Sequence, residues 1–282
     1  MGMVAGAISK PAPSRAQIAR WAGQALGFVL NRYLLYLISV AGFLYLWDAI
    51  ALAQVFGTFM PRPIEVVQRL AVMMTDPLAG KTLMQHLWAS LQRVLIGFAI
   101  GVVLGVPLGL FMALNRYVCA FVKPVFDLFK PMPPIAWISL SLLWFGIGEG
   151  SKVFIILIGA IVPCVINAYN GIRLVDPELY DAIRMLGANR RQEALEVTFP
   201  AAFPAIFAGI QISLSLAWSC VVAAEMVGAR DGMGYLIIMG MNQSRPSQII
   251  GGMVIIAVVA WLLAVTLGWL EKRVCPWKRE IT

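Results

Sequence analysis

Histidine is all but missing from this 282-residue chain, where His86 stands alone. An imidazole cluster around a metal and a histidine-based catalytic triad are thereby excluded. The four cysteines, Cys119, Cys164, Cys220 and Cys275, are each more than forty residues from the next, which suits neither a zinc site nor a disulfide framework. Charge is scarce as well: 13% of residues are charged against 60% hydrophobic, and the mean hydropathy is +0.82. Soluble domains carry about twice that share of charge, so this is the composition of an integral membrane protein. Phosphate loops are lacking too. TDPLAGKT, from Thr75 to Thr82, ends like a Walker A loop but has Thr75 in place of the first glycine, and it falls in an expected outside loop. FGIGEGSK, with Gly146, Gly148 and Gly150, lacks the spacing altogether. The chain is expected to bind no ATP, cofactor or metal and to hold no enzymatic active site.

Long apolar runs are plentiful. Val94 to Leu114, Val153 to Ile172, Phe203 to Ala224 and Ser247 to Leu270 are free of charge, and each is long enough to cross a hydrocarbon core, which takes about 20 helical residues. Two further spans are interrupted, Tyr33 to Phe56 by Asp48, and Val122 to Gly148 by Lys123, Asp127, Lys130 and four prolines. Six spans are therefore expected, the third of them broken. With the N-terminus inside, fifteen of the twenty-two lysines and arginines fall on the inner side, among them Lys10, Arg116, Arg184, Arg190, Arg191, Lys272, Lys278 and Arg279. Both termini are then cytoplasmic, and the net charge of +8 reflects topology without a nucleic-acid partner. A charged leader of over thirty residues is unlike a cleaved signal peptide. The expected organisation is a cytoplasmic segment over 1–32, a transmembrane domain over 33–271 and a cytoplasmic tail over 272–282.

Between Asp176 and Pro200 the chain turns polar. Asp176 suits an N-cap, Pro177 the first helical position and Glu178 the first turn, while Leu179, Ile183 and Leu186 recur at helical spacing. Gly187 suits the left-handed residue that ends a helix. Asn189 and Gln192 then stand as a capping box ahead of Leu195, Thr198 and Phe199. Two short helices with a sharp turn result, either lying on the headgroups or presented to a soluble partner.

Two patterns mark the spans. Gly97, Gly101, Gly105 and Gly109 recur every fourth residue, a packing face for another helix. Gln211, Ser215, Trp218 and Glu225 fall within about 80° of arc, a polar stripe that either lines a solute pathway or bonds to neighbouring helices. Glu225 is expected to act as a gate or a structural ion-pair residue, with Arg230 or Arg245 as candidate partners. The prolines of the third span leave two readings, a broken helix whose Trp137, Trp144, Ser139 and Ser141 line a cavity, or an elbow before a short span. Asp48 is expected at the membrane interface.

The polar segment resembles the EAA loop of binding-protein-dependent ABC importer permeases, whose pattern is E-A-A, three residues, Gly, nine residues, I-x-L-P. Here it stands as Asp181, Ala182, Ile183, Gly187, Val197, Phe199 and Pro200. FMPRP, HLWASLQRV, KPMPPIAWISLSLLWFGIGEGSK, AWSCVVAAEMVGARDGMGYL and CPW are similar to permeases for taurine, alkanesulfonates, nitrate and bicarbonate. The resemblance implies an all-α membrane protein, the six-helix transmembrane domain of a type I importer with cytoplasmic coupling helices. It implies that the coupling residues, Ala188 included, dock a separate P-loop ATPase that holds ATP and magnesium. It further implies a pair of permease chains, expected to be identical, two ATPases, an extracytoplasmic solute-binding protein and a bacterial inner membrane with its lipid. The solute would be a small organic anion, a sulfonate such as taurine first, with nitrate, bicarbonate, an aromatic acid or a pyrimidine precursor as alternatives. A gradient-driven carrier is the alternative of another class, and Glu225 and Asp48 are few for the ion relay it needs.

Overall fold

The computed structural model describes the backbone of residues 15–277 and the side chains of residues 33–277, so Lys10, Lys278 and Arg279 lie outside the described residues. Two compact units divide at Pro63. In the first, helix α1 spans Arg15–Leu52, with Tyr33–Leu52 apolar enough to cross a membrane. Asp48, expected at the interface, accepts two hydrogen bonds from Arg62, at 2.8 and 3.0 Å, and the neighbouring Trp47 indole donates to the Pro61 carbonyl.

The second unit holds α2 (Pro63–Thr75), α3 (Leu83–Leu114), α4 (Arg116–Phe129), α5 (Ile138–Phe145), α6 (Glu149–Arg173), α7 (Pro177–Met185), α8 (Arg190–Gln192), α9 (Phe199–Gly228), α10 (Met233–Asn242) and α11 (Pro246–Val274). No β-strand occurs among the described residues. Five helices are long and apolar enough to cross: the second half of α1, then α3, α6, α9 with the turns before it, and α11. At 32 residues α3 is about 48 Å long, so its first three turns extend beyond the run that sequence alone marked out. Thr82 starts it with a capping box: its hydroxyl accepts from Gln85 N while the Gln85 side chain accepts from Thr82 N.

The segment from Val122 to Gly148 is interrupted, with α4 and α5 separated by residues 130–137. Asn115 caps α4 by accepting from Tyr117 N and Val118 N. Val118, Cys119, Val122 and Phe126 of α4 join Met112 and Val165 in one cluster. Pro131, Pro133 and Pro134 then deny the backbone its donors, and the chain restarts as a single 3-10 turn at Pro134–Trp137 followed by α5, whose 8 residues reach about 12 Å. Alone, α5 is too short to span.

At the centre lies α6, with 12 of its 25 residues buried, whereas α11 buries only four of 29 and lies at the edge. Glycine explains how α3 reaches it. A Cβ at Gly97 would lie 2.6 Å from Ile156 Cγ2, one at Gly101 2.7 Å from Ala160 Cβ, one at Gly105 2.8 Å from Cys164 Cβ, and one at Gly109 2.8 Å from Ala168 Cβ. Each helix thus offers every fourth residue to the other, and only glycine on α3 permits this separation. On another face of α6, α9 approaches through Gly209, where a Cβ would meet Asn167, and its Ser213 hydroxyl donates to the Ala160 carbonyl at 2.6 Å.

Candidate functional site

The polar hairpin folds from local signals. Asp176 accepts from Glu178 N at 3.0 Å to cap α7. At the other end Gly187 N donates to the Arg184 carbonyl at 3.0 Å and Ala188 N to the Ile183 carbonyl at 3.2 Å, the paired bonds of a Schellman turn, with Gly187 at φ +79°. Asn189 and Gln192 form the reciprocal capping box that opens α8. Arg184 closes the hairpin by donating to Glu193 at 2.8 and 3.2 Å. A π-helical stretch, Glu193–Thr198, carries the chain into α9, with the Thr198 hydroxyl donating to the Glu193 carbonyl.

This hairpin shows apolar side chains to its surroundings. Met185 is 88% and Leu186 87% exposed, and Leu179 and Leu195 are exposed too. Asp181, Ala182 and Gly187 are exposed, while Ile183, Ala188, Val197, Phe199 and Pro200 are half-buried. The hairpin buries none of α7 and is braced from within by the Arg184–Glu193 pair.

The second site is a charge cluster where α3, α6 and the α9–α10 turn meet. Arg93 reaches three carboxylates: it donates to Glu225 at 2.7 Å, to Glu149 through two nitrogens, and to Asp231. Lys81 pairs with Asp231, and Lys152 with Glu149 at 3.0 Å. Three cations and three anions therefore balance. Glu225, fully buried, also accepts from Ser90 and from Gly234 N at 2.9 Å. Ser90 in turn accepts from Met233 N, and His86 Nδ1 accepts from Gly232 N at 3.0 Å. That bond makes Nε2 the protonated nitrogen, donating to the Leu78 carbonyl at 3.0 Å. Burial would raise the Asp231 carboxyl, but the hydrogen bonds and charges of Arg93 and Lys81 hold it down to about 2. Gly232, at φ +109°, is required twice over, because an added Cβ would run into the Glu225 carboxylate. With every charge partnered, the cluster ties helix ends together, and a cleft of about 660 Å³ opens beside Lys81, Trp88, Arg93 and Glu149.

Glu225 thus pairs with Arg93, and neither Arg230 nor Arg245 takes that place. Arg93 stands just before the charge-free run that begins at Val94, and its charge alone does not mark it as that partner. A signal was present: His86, Ser90 and Arg93 lie within about 60° of arc, in line with Gly97. The rest of the α9 stripe is split, because its arc straddles the border between the buried and exposed sides. Trp218 is buried with no partner for its indole N–H among the described residues. Ser215 is exposed and donates to the Gln211 carbonyl. Gln211 donates to Glu271 of α11 at 2.8 Å. Beside α5, Ser139 is exposed, Ser141 is buried and donates to the Ile138 carbonyl, and Trp137 and Trp144 both pack on Phe154.

The chain is similar to known proteins over most of its length. The taurine transport system permease protein TauC of Escherichia coli is 33% identical over 86% of this chain and 89% of its own. The nitrate import permease protein NrtB of Synechocystis is 31% identical over 85% of this chain and 88% of its own. Among solved structures, the inward-facing methionine ABC transporter MetNI matches 69% of this chain and 94% of its own at 20% identity, with a TM-score of 0.56, a likeness of fold. The model of the family described as "Binding-protein-dependent transport system inner membrane component" matches residues 105–280, and the chain belongs to that family of ABC importer permease subunits.

Proposed function

We propose that this chain carries a small organic anion, a sulfonate such as taurine, inward through the membrane as one of a pair of identical permeases driven by two separate ATPases. The observation that carries this reading is the hairpin from Asp176 to Thr198, a self-braced turn with exposed Leu179, Met185, Leu186 and Leu195. The paired helices dock in a groove of the ATPase, which binds ATP and magnesium, and closure of the two ATPases moves the permeases between inward- and outward-facing states. A solute-binding protein delivers the anion from outside, and both termini lie in the cytoplasm, as the distribution of lysine and arginine supports. The sulfonate assignment draws on the taurine permease, and the comparable likeness to a nitrate permease makes nitrate the competing solute.

The test is to solubilise the chain gently from its native membrane and measure ATP hydrolysis in what co-purifies. A P-loop ATPase stimulated by a solute-binding protein loaded with taurine is the expected result; stimulation only with nitrate would reassign the solute. A chain that comes out alone and moves solute in ATP-free vesicles would replace this reading with a gradient-driven carrier.

A further inference from the structure

Pro204 lies one turn into α9 and has no amide hydrogen, so the carbonyl four residues earlier, that of Pro200, lacks its normal helical donor. The missing bond comes from the far end of the chain. Trp277 Nε1 donates to the Pro200 carbonyl at 3.1 Å, and its ring lies 6.4 Å from that of Phe203. Trp277 is placed there by Cys275, only 2% exposed, whose N–H closes α11 on the Glu271 carbonyl at 2.8 Å. Deeper along α9, Gln211 donates to the Glu271 carboxylate at 2.8 Å. The end of α11 therefore grips α9 at two levels, and one of them is Pro200, the second residue of α9 after the π-helical exit of the hairpin.

A tryptophan near a membrane boundary often serves as an interfacial anchor with its N–H toward the headgroups. Here the N–H is committed to one carbonyl, and that carbonyl is one which a proline has stripped of its partner. We propose that Trp277 is a positioning residue: with Glu271 it clasps the base of the hairpin to α11, so that displacement of the hairpin is passed to α11 together with α9. The inference rests on the hairpin being the ATPase dock.

The experiment uses the full complex in proteoliposomes with loaded binding protein, and reads solute imported per ATP hydrolysed, together with the yield of assembled complex. The variants are Trp277→Phe, Trp277→Phe combined with Pro204→Ala, and Gly187→Val as a report on the hairpin. Trp277→Phe keeps an aromatic ring and loses the donor, and should lower the ratio roughly two- to tenfold, the range one hydrogen bond supports. Adding Pro204→Ala supplies a backbone N–H to the Pro200 carbonyl from within α9 but no link to α11, so it should restore assembly if the orphaned carbonyl impairs it and should leave the ratio low. A wild-type ratio in Trp277→Phe overturns the clasp, as does a lowered ratio that Pro204→Ala repairs, since the loss would then come from the orphaned carbonyl and not from the missing tie to α11. Loss of stimulation in Gly187→Val alongside a wild-type Trp277→Phe overturns the clasp alone, whereas full stimulation in Gly187→Val overturns the hairpin reading and the clasp with it.

Discussion

Gly187 and Arg93 mark the two ways a single residue matters in this chain. A Cβ at Gly187 would meet nothing within 4 Å, so the cost of a side chain there is the left-handed backbone alone, roughly 1 kcal/mol or more. Gly187→Val should insert normally yet lose substrate-stimulated ATP hydrolysis, while Gly187→Asn, which tolerates that conformation, should keep most of it. Arg93 is constrained by its partners. Arg93→Leu would leave Glu225 buried and unpaired, at a cost of about 3–5 kcal/mol, visible as a collapse of thermal stability in detergent. Lysine is a poor replacement, because one ammonium cannot reproduce the fork that meets three carboxylates. Asp231 adds a pH dependence. Its carboxyl is lowered from 3.8 to about 2, so its ionised form stabilises the fold above pH 3.8, and that contribution is lost as the pH falls through about 2. The melting temperature of the wild type should drop across that window, and that of Asp231→Asn should drop less. Gly187 was legible in sequence because its conformation depends on neighbours a few residues away. The partner of Glu225 was not, because Arg93 lies 132 residues away and the nearer Arg230 and Arg245 are equally plausible on charge.

Helices α3 and α6 show how far an element can be read before its partner is known. The glycine row identified a packing face, and the structure supplies Ile156, Ala160, Cys164 and Ala168 as what packs there. Gly101→Val should therefore separate the helices and abolish a monodisperse peak in detergent. Gly101→Ala should do so partially and be relieved by Ala160→Gly, which removes the opposing methyl group. The polar stripe of α9 had no such clear reading. Its period was right for one face, but burial divided it, because which arc of a helix is covered depends on the angles at which α3, α6 and α11 approach. The prolines between α4 and α5 marked a break in the sequence, and the structure adds that Val118, Cys119, Val122 and Phe126 are the side of α4 that packs on Met112 and Val165.

For the whole molecule, sidedness is the property open to direct measurement. With the native cysteines replaced, a cysteine at Ala182 should react with an impermeant maleimide only from the cytoplasmic side, and one at Ala79, in the short turn before α3, only from outside. Labelling of both from one side would contradict the charge asymmetry on which the topology rests. By itself, the amino-acid sequence determined that the chain lives in a bilayer, where most of its crossings run, and that a capped, glycine-turned hairpin interrupts them. These follow from composition, run length and signals within one turn of helix, and none requires knowing what lies alongside. Only the tertiary structure decided that Arg93 neutralises Glu225, that Gln211 meets Glu271 and that Trp277 serves the carbonyl orphaned by Pro204. Each of these joins residues sixty or more positions apart, and in an apolar interior a polar group takes whichever partner helix packing brings within about 3 Å.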